Sequence, residues 1–323
     1  MKRPIALLPI ALIAVLVGAC TQSTGGLGPV GSAAPSAEPS VVPGSPDLTP
    51  APSSPGTTPS TPPNETPEPT PPSAGTTVVR AYFYLGGEPG SAGFVAVLRE
   101  IPATQAVARA AMNALLAGPQ GSELRATPAI TSAIPAGTEL LGISITSGIA
   151  TVDLSSEFEA GGGSASMFGR LGQVVYTLTQ FPTVKSVVFQ VEGRTVTVFG
   201  SEGIVLDGPI GRDYAAFDDF LPSIFVDRPA WGAAIGNPAR VTGNANVFEA
   251  QFLITLLDGS GTTLSEGPVM ATCGTGCRGT FDVTIEYDVD QGQWGILRAW
   301  NASAMDGSPE DVREYPVWLT PAG

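Results

Sequence analysis

Residues 140–199 read LLGISITSGIATVDLSSEFEAGGGSASMFGRLGQVVYTLTQFPTVKSVVFQVEGRTVTVF, and the period of their apolar residues changes twice. Residues 140–146 and 149–154 alternate around Ser147-Gly148, the signature of two strands in a hairpin. After Gly161-Gly162-Gly163 a helix begins near Ser164, because Leu171, Val174, Val175 and Leu178 recur at i, i+3, i+4 and i+7. Residues 186–191 and 195–199 return to strand periodicity as a second hairpin about Gly193-Arg194. Strand pair, helix and strand pair in that order predict a mixed sheet with helical cover.

Upstream, residues 78–85 (VVRAYFYL) and 94–101 (FVAVLREI) are two further strand candidates, joined by a Gly-Gly-Glu-Pro-Gly turn region. Thr104 is placed to N-cap a helix through Ala117, with Val107, Ala110, Ala111, Ala114 and Leu115 on one face and Gly118-Pro119 ending it. Residues 77–217 are therefore expected to form an α+β domain, a mixed sheet with two helices on one face. Residues 201–220, with Gly203, Gly208-Pro209, Gly211 and Asp218-Asp219, read as a connecting stretch.

From residue 221 helical periodicity is absent. Residues 248–257, 280–287, 295–304 and 312–319 are strand candidates, broken by turns such as Asp258-Gly259-Ser260-Gly261. Short strands at this spacing predict an all-β immunoglobulin-like sandwich over residues 221–320, able to fold as a separate unit. Trp231, Phe248 and Phe252 are expected in its core.

The amino terminus has a different composition. Lys2 and Arg3 precede an almost continuous apolar run from Ile5 to Val17. About 13 residues cannot cross roughly 30 Å of hydrocarbon as a helix, but they match the core of a signal peptide. The run ends in Val17-Gly18-Ala19-Cys20, which resembles a bacterial lipobox. Residues 1–19 are thus expected to be a lipoprotein signal peptide and Cys20 the lipid attachment point, tethering the mature chain to a membrane without embedding it. Residues 20–76 are rich in Ser, Thr, Pro, Gly and Ala and lack aromatic and basic residues, so a disordered stalk is expected.

Lipidation would consume one of the three cysteines and leave Cys273-Gly274-Thr275-Gly276-Cys277. On the extracytoplasmic face two cysteines in a Gly-rich loop are expected to form a disulfide, worth about 2 kcal/mol on the chain-entropy model. A functional thiol pair or two free thiols are the alternatives, although a redox motif is normally C-x-x-C.

Composition removes whole classes of chemistry. The chain has 323 residues and no histidine, which excludes Ser-His-Asp and Cys-His catalysis and His-ligated metal sites. A formal charge of −14 argues against nucleic acid as a partner. Carboxylate chemistry is what remains. Asp153, Glu157 and Glu159 form one acidic group after a strand. Asp282, Glu286, Asp288 and Asp290 form another, in which the first three would share one face of a continuous strand. Each group also reads as turn acceptors, cap acceptors or a solvated face. No twelve-residue calcium loop is present, and no Gly-Lys-Ser/Thr follows Gly161–Gly163, so neither a cation nor a phosphate loop is expected. No cofactor, metal ligand or catalytic residue is assigned.

Two family resemblances cover the chain after the stalk. Ser132 to Thr138 (SAIPAGT), Ala150 to Phe158 (ATVDLSSEF), Gln173 to Val184 (QVVYTLTQFPTV), and Val187 to Val191 followed by Gly193 resemble the GerM-type sporulation and spore germination domain. Pro229-Ala230-Trp231-Gly232, Pro238 through Gly243, Val247 to Ala250 and Asp306-Gly307-Ser308 are similar to the immunoglobulin-like domain of bacterial spore germination. The resemblance implies an envelope lipoprotein of a Gram-positive-type bacterium, and with no catalytic residue assigned a non-enzymatic one is expected. It would have a binding or scaffold role at the outer face of the cell membrane, in cell-wall, sporulation or germination complexes. Its partner would be an envelope protein or peptidoglycan. The alternative is a carboxylate-dependent cell-wall glycan hydrolase.

Replacing the acylated thiol tests the anchor. Cys20→Ser is expected to shift the protein from the membrane fraction to the medium, or to leave an unprocessed precursor. A variant that still partitions with membrane lipid would overturn the lipobox reading.

Overall fold

The computed structural model describes residues 75–87 and 90–322. The expected signal peptide, Cys20 and the stalk up to residue 74 lie outside these residues. Among the described residues no helix is long and apolar enough to cross a membrane.

The chain starts with β1 (Thr76–Leu85) and β2 (Gly93–Pro102), continues through α1 (Val107–Leu116), β3 (Ile130–Thr131), β4 (Leu140–Thr146) and β5 (Ile149–Leu154), and then forms α2 (Ser164–Leu178). After α2 come β6 (Ser186–Val191), β7 (Arg194–Thr195), β8 (Val198–Phe199) and β9 (Ile204–Val205). Strands β4-β5-β6-β7 form the expected mixed sheet, with β5 and β6 parallel and α2 as the crossover between them. The strands before α1 do not join it. They build a separate antiparallel sheet in the order β2-β1-β3.

Local chemistry accounts for most of these elements. Ser147 and Gly148 both have positive φ, as a two-residue primed turn between Thr146 and Ile149 requires. The second hairpin turns one residue earlier than expected. Glu192 and Gly193 take the positive-φ positions, Val191 faces Arg194, and β8 leaves to pair with β9. Helix α1 begins three residues after the expected cap. The Thr104 hydroxyl accepts the Ala106 N–H at 3.1 Å in a local turn, and the buried stripe is Ala108, Ala111, Met112 and Leu115.

Helix α2 buries the expected stripe, but also every other residue from Gly169 to Leu178. It packs against α1, β1, β6 and the short 3-10 turn Ala215–Phe220, so both of its faces are covered. Gly172 makes this possible. A Cβ there would stand 2.4 Å from the Phe94 ring.

The second half contains β10 (Ile224–Arg228), β11 (Ala234–Ile235), β12 (Ala239–Ala245), β13 (Gln251–Asp258), β14 (Thr263–Met270), β15 (Gly279–Ile285), β16 (Gln293–Ala302) and β17 (Pro309–Leu319). One sheet has the order β10-β12-β15 and the other β11-β17-β16-β13-β14, the two layers of an immunoglobulin-like sandwich. Phe252 on β13 meets Phe281 on β15 at 5.0 Å between ring centroids, joining the layers. Phe252 is in the core as expected. Phe248 is not: it sits in a 3-10 turn before β13 and is 64% exposed. Trp231 is half-buried where the halves of the chain meet, its N–H donating to Ala96 O at 2.7 Å and its carbonyl accepting from Leu98 N–H.

The residues read as a connecting stretch are packed. Ile210 exchanges backbone hydrogen bonds with Val187, and Phe217 is fully buried. One continuous apolar cluster runs from Ala81 to Leu319. At its centre Phe225 of β10 lies edge-on to Tyr176 of α2, at 5.8 Å. From β17 the buried Arg313 guanidinium reaches across to donate to the carbonyls of Ser91, Gly93 and Phe94.

A fragment beginning at Leu221 would expose Phe225 and leave the Arg313 guanidinium without those acceptors. It is expected to unfold at a lower temperature than the sandwich within the full chain, read by calorimetry. A fragment with an unshifted cooperative transition would show that the shared core contributes little.

Candidate functional site

A cleft of about 860 Å³ opens between the two halves. One wall is Val78 to Arg80 of β1, Leu98 of β2 and Gln180-Phe181 after α2; the other is supplied by Arg228 to Ala230, Ala233 to Gly236, Pro238, Arg240 and Thr242. Three guanidinium side chains line it, and none of its lining residues is acidic.

The first wall is held by an unusual edge. Strand β3 pairs with β1 only at Tyr84 and Leu85, so among the described residues the rest of that edge lacks a strand neighbour. Polar side chains along and just after α2 take its place. Gln173 Nε2 donates to Tyr82 O at 2.9 Å, Thr177 Oγ1 accepts from Tyr82 N–H at 3.1 Å, and the Gln180 amide exchanges two bonds with the Arg80 backbone. Gln173 and Thr177 are fully buried, and these contacts satisfy backbone groups that burial would otherwise penalise.

Behind Arg80 lies a half-buried ionic cluster. Asp227 of β10 accepts hydrogen bonds from the Tyr82 hydroxyl and from Arg212 Nη1, the latter at 3.2 Å, and Arg80 Nη2 lies 3.7 Å from it. Arg212 also donates to Tyr82 Oη, Tyr176 O and Thr179 Oγ1, and lies 4.5 Å from the Tyr176 ring centroid. Burial pushes the Asp227 carboxyl up, but Arg212, Arg80 and the Tyr82 hydroxyl outweigh it and hold it below the usual range. Burial, reinforced for Tyr82 by Asp227, holds the Tyr82 and Tyr176 phenols above their usual range. Tyr82, Arg212 and Asp227 carried no motif, and only their convergence in three dimensions reveals them.

Except for Asp282, whose ion-pair partner Arg240 lines the cleft, the sequence-derived acidic groups stay apart from it. Asp153 accepts the Gly193 N–H at 2.9 Å and ties the β6–β7 turn to β5; Glu159 accepts the Gly200 N–H at 3.4 Å. Glu157 is exposed, with the Ser155 hydroxyl and its own backbone amide holding its carboxyl down. Asp282 pairs with Arg240 on the surface of the sandwich. Strand β15 ends at Ile285, so Asp288 and Asp290 follow it and do not extend the face that carries Asp282. Glu286 lines a separate groove of about 400 Å³ with Glu266, whose carboxylate accepts the Thr255 hydroxyl.

The glycine run also has a structural role. Arg170 of α2 donates to Phe158 O, Gly161 O and Ala133 O, so residues 158–163 wrap a guanidinium. A Cβ at Gly162 would meet it at 2.7 Å. Cys273 and Cys277 are disulfide-bonded. Their loop is further held by Thr275 N–H to Val247 O and Gly276 N–H to Asn246 Oδ1, and a Cβ at Gly279 would collide with the Cys273 backbone. Among the described residues no group of three or more Cys, Asp or Glu side chains is arranged to hold a metal ion.

Residues 80–197 match the family model for sporulation and spore germination, Germane. Residues 223–308 match that for the immunoglobulin-like domain of bacterial spore germination, Gmad2. Similar solved structures include the first GerMN domain of the sporulation protein GerM from Bacillus subtilis, at 19% identity over 42% of this chain and 98% of that one, TM-score 0.35. The tandem GerMN domains of the same protein align at 15% identity over 65% of this chain and 61% of that one, TM-score 0.36. A putative lipoprotein from Clostridium perfringens aligns at 19% identity over 44% and 92%, TM-score 0.30. No curated protein matches.

The buried tyrosines give the junction a pH signature. Unfolded tyrosines lose their protons near pH 10, whereas folded Tyr82 and Tyr176 keep theirs, so stability is complete below pH 10 and falls as pH rises through 11. The loss is expected to be roughly 1 kcal/mol per tyrosine at pH 11. Tyr176→Phe is expected to reduce that loss while leaving the urea midpoint at pH 8 little changed. An unaltered alkaline loss in the variant would remove Tyr176 from the account.

Proposed function

We propose that this chain, a Germane-type domain joined to a Gmad2 immunoglobulin-like domain, is a non-enzymatic binding or scaffold protein. In this reading Cys20 carries a lipid anchor, the stalk spaces the folded pair from the outer face of the cell membrane, and the pair engages an envelope component during sporulation or germination. The family descriptions support the setting. The signal-peptide and lipobox pattern supports the anchor.

One observation carries the binding role. The cleft between the halves is lined by arginines, one amide, one hydroxyl and apolar side chains, and by no carboxylate, histidine or thiol. Such a lining orients and holds a ligand. It supplies no group to shuttle a proton at neutral pH, because arginine stays charged.

The hydrolase reading retains one foothold, the groove shared by Glu266 and Glu286. Paired carboxylates about 5 to 9 Å apart are what glycoside hydrolysis needs. Incubating purified sacculi with the protein separates the readings. The expected outcome is sedimentation of the protein with sacculi or with an envelope fraction, and no release of soluble fragments. Asp153, Glu157, Asp282, Glu286 and Glu266 variants should then alter stability or binding at most. Reproducible fragment release that vanishes in one well-folded carboxylate variant would replace the scaffold with a hydrolase.

A further inference from the structure

We infer that the cleft between the two halves is a receptor for a short acidic peptide segment, one whose carboxylates meet Arg228 and Arg240 while its apolar side chains lie on Leu98 and Phe181. The inference deepens the binding role proposed above and rests on it.

Charge is the first argument. The protein carries a formal charge of −14, yet Arg80, Arg228 and Arg240 converge on a cleft with no acidic lining residue. Positive side chains are thus gathered there in a chain of negative net charge, and low-dielectric walls strengthen the field of a charge left unpaired. The three guanidiniums differ in how freely they can act. Arg80 is held from behind by Asp227 and Tyr82, with its side chain only 11% exposed, so it contributes mainly a fixed positive field. Arg240 is paired with Asp282, but the two side chains are 71% and 54% exposed. A pair so wet is worth little and exchanges readily for an incoming carboxylate. Arg228 is exposed, and its guanidinium makes no hydrogen bond or ion pair with the described residues. A planar, permanently charged fork without a partner suits bidentate recognition of a carboxylate.

The rest of the lining selects the kind of anion. Leu98 and Phe181 are half-buried, and Val79, Pro229, Ala233 and Ile235 are buried beneath them, so the cleft offers a narrow apolar surface between its guanidiniums. A phosphodiester polymer, polar along its whole length, would leave that surface wet; a peptide alternating carboxylate and apolar side chains covers it. Size points the same way. About 860 Å³ is within the range of clefts for small ligands, whereas a folded partner would need about 800 Å² of its own surface buried. Val78, 43% exposed and lining the cleft, has no strand beside it among the described residues on the edge opposite β2, which leaves room for an extended backbone.

The test uses the full chain and fluorescence anisotropy. The probe is a labelled synthetic peptide, Ala-Glu-Leu-Glu-Ala-Pro, with its Gln-for-Glu counterpart and a glycerol-phosphate polymer as comparisons. The acidic peptide is expected to bind about tenfold tighter than the Gln version, with affinity falling as salt is raised. Arg228→Gln should weaken it about tenfold, and Ala234→Glu, which puts a carboxylate on an exposed lining position, should abolish it. Circular dichroism should show both variants folded, since neither position is buried or bonded through its side chain. Equal binding of the two peptides, binding of the polymer in preference to the acidic peptide, or acidic-peptide binding indifferent to both substitutions would each overturn the inference. Absence of peptide binding by a protein that still sediments with sacculi would overturn it too, and would leave the broader binding role standing.

Discussion

The carboxylate of Asp227 is the point on which the two halves of the molecule depend. It comes from β10, the first strand of the sandwich, and ends among Arg80, Tyr82 and Arg212 of the α+β half. Burying a carboxylate is costly unless charges and hydrogen bonds surround it, and here two guanidiniums and a phenol do so. Each partner is fixed for another reason as well. Tyr82 is on the strand edge that α2 saturates, and Arg212 reaches back to Tyr176 O and Thr179 of α2 and its end. Removing the carboxylate would leave two cations facing each other in a half-buried site. That is why β1, the segment before the 3-10 turn and β10 hold one arrangement.

The junction has a second fastening of different chemistry. Arg313 carries its charge to three backbone carbonyls at the start of β2, with the Tyr315 ring at 5.8 Å from its guanidinium. The planar guanidinium spreads its donors over two nitrogens, Nη1 to Ser91 O and Nη2 to Gly93 O and Phe94 O, a span that the single nitrogen of a lysine does not match. Between these two polar fastenings the aromatic contacts of Phe225 with Tyr176 and Tyr82 fill the space. The cleft exists because the two halves are joined along this line and diverge beyond Arg80. A cleft at the seam of two domains follows from that geometry without any loop built for the purpose.

The carboxylates are dispersed through the molecule, and their partners show how they are used. Asp153 and Glu159 accept backbone N–H groups, Asp282 pairs with an arginine, and Glu266 receives a hydroxyl. Side chains used this way hold turns and strands. The positive groups are the ones gathered, in a protein whose excess charge is negative.

The amino-acid sequence by itself determined the order of strands and helices from residue 140 to residue 191, the primed turn at Ser147-Gly148, the buried stripe of α2, the sandwich class of the second half and the cysteine pair. All of these arise from interactions between residues near in sequence or from simple periodicity. It misjudged features set by distant neighbours. Phe248 reads as core because it is large and apolar, but β13 starts later and leaves it on a turn. Strands β10, β12 and β14 were overlooked because Arg228, Gly243, Asn244 and Pro268 interrupt their apolar pattern, while cross-strand hydrogen bonds to partners far along the chain define them. Residues 201–220 look like a linker because of their glycines, yet Phe217 and Ile210 are buried by elements on either side. The tertiary structure alone brought Arg80, Arg228 and Arg240 to one cleft. Residues up to 160 positions apart in sequence have no local signal of meeting, and only the packing of Asp227 and Arg313 across the junction places them together.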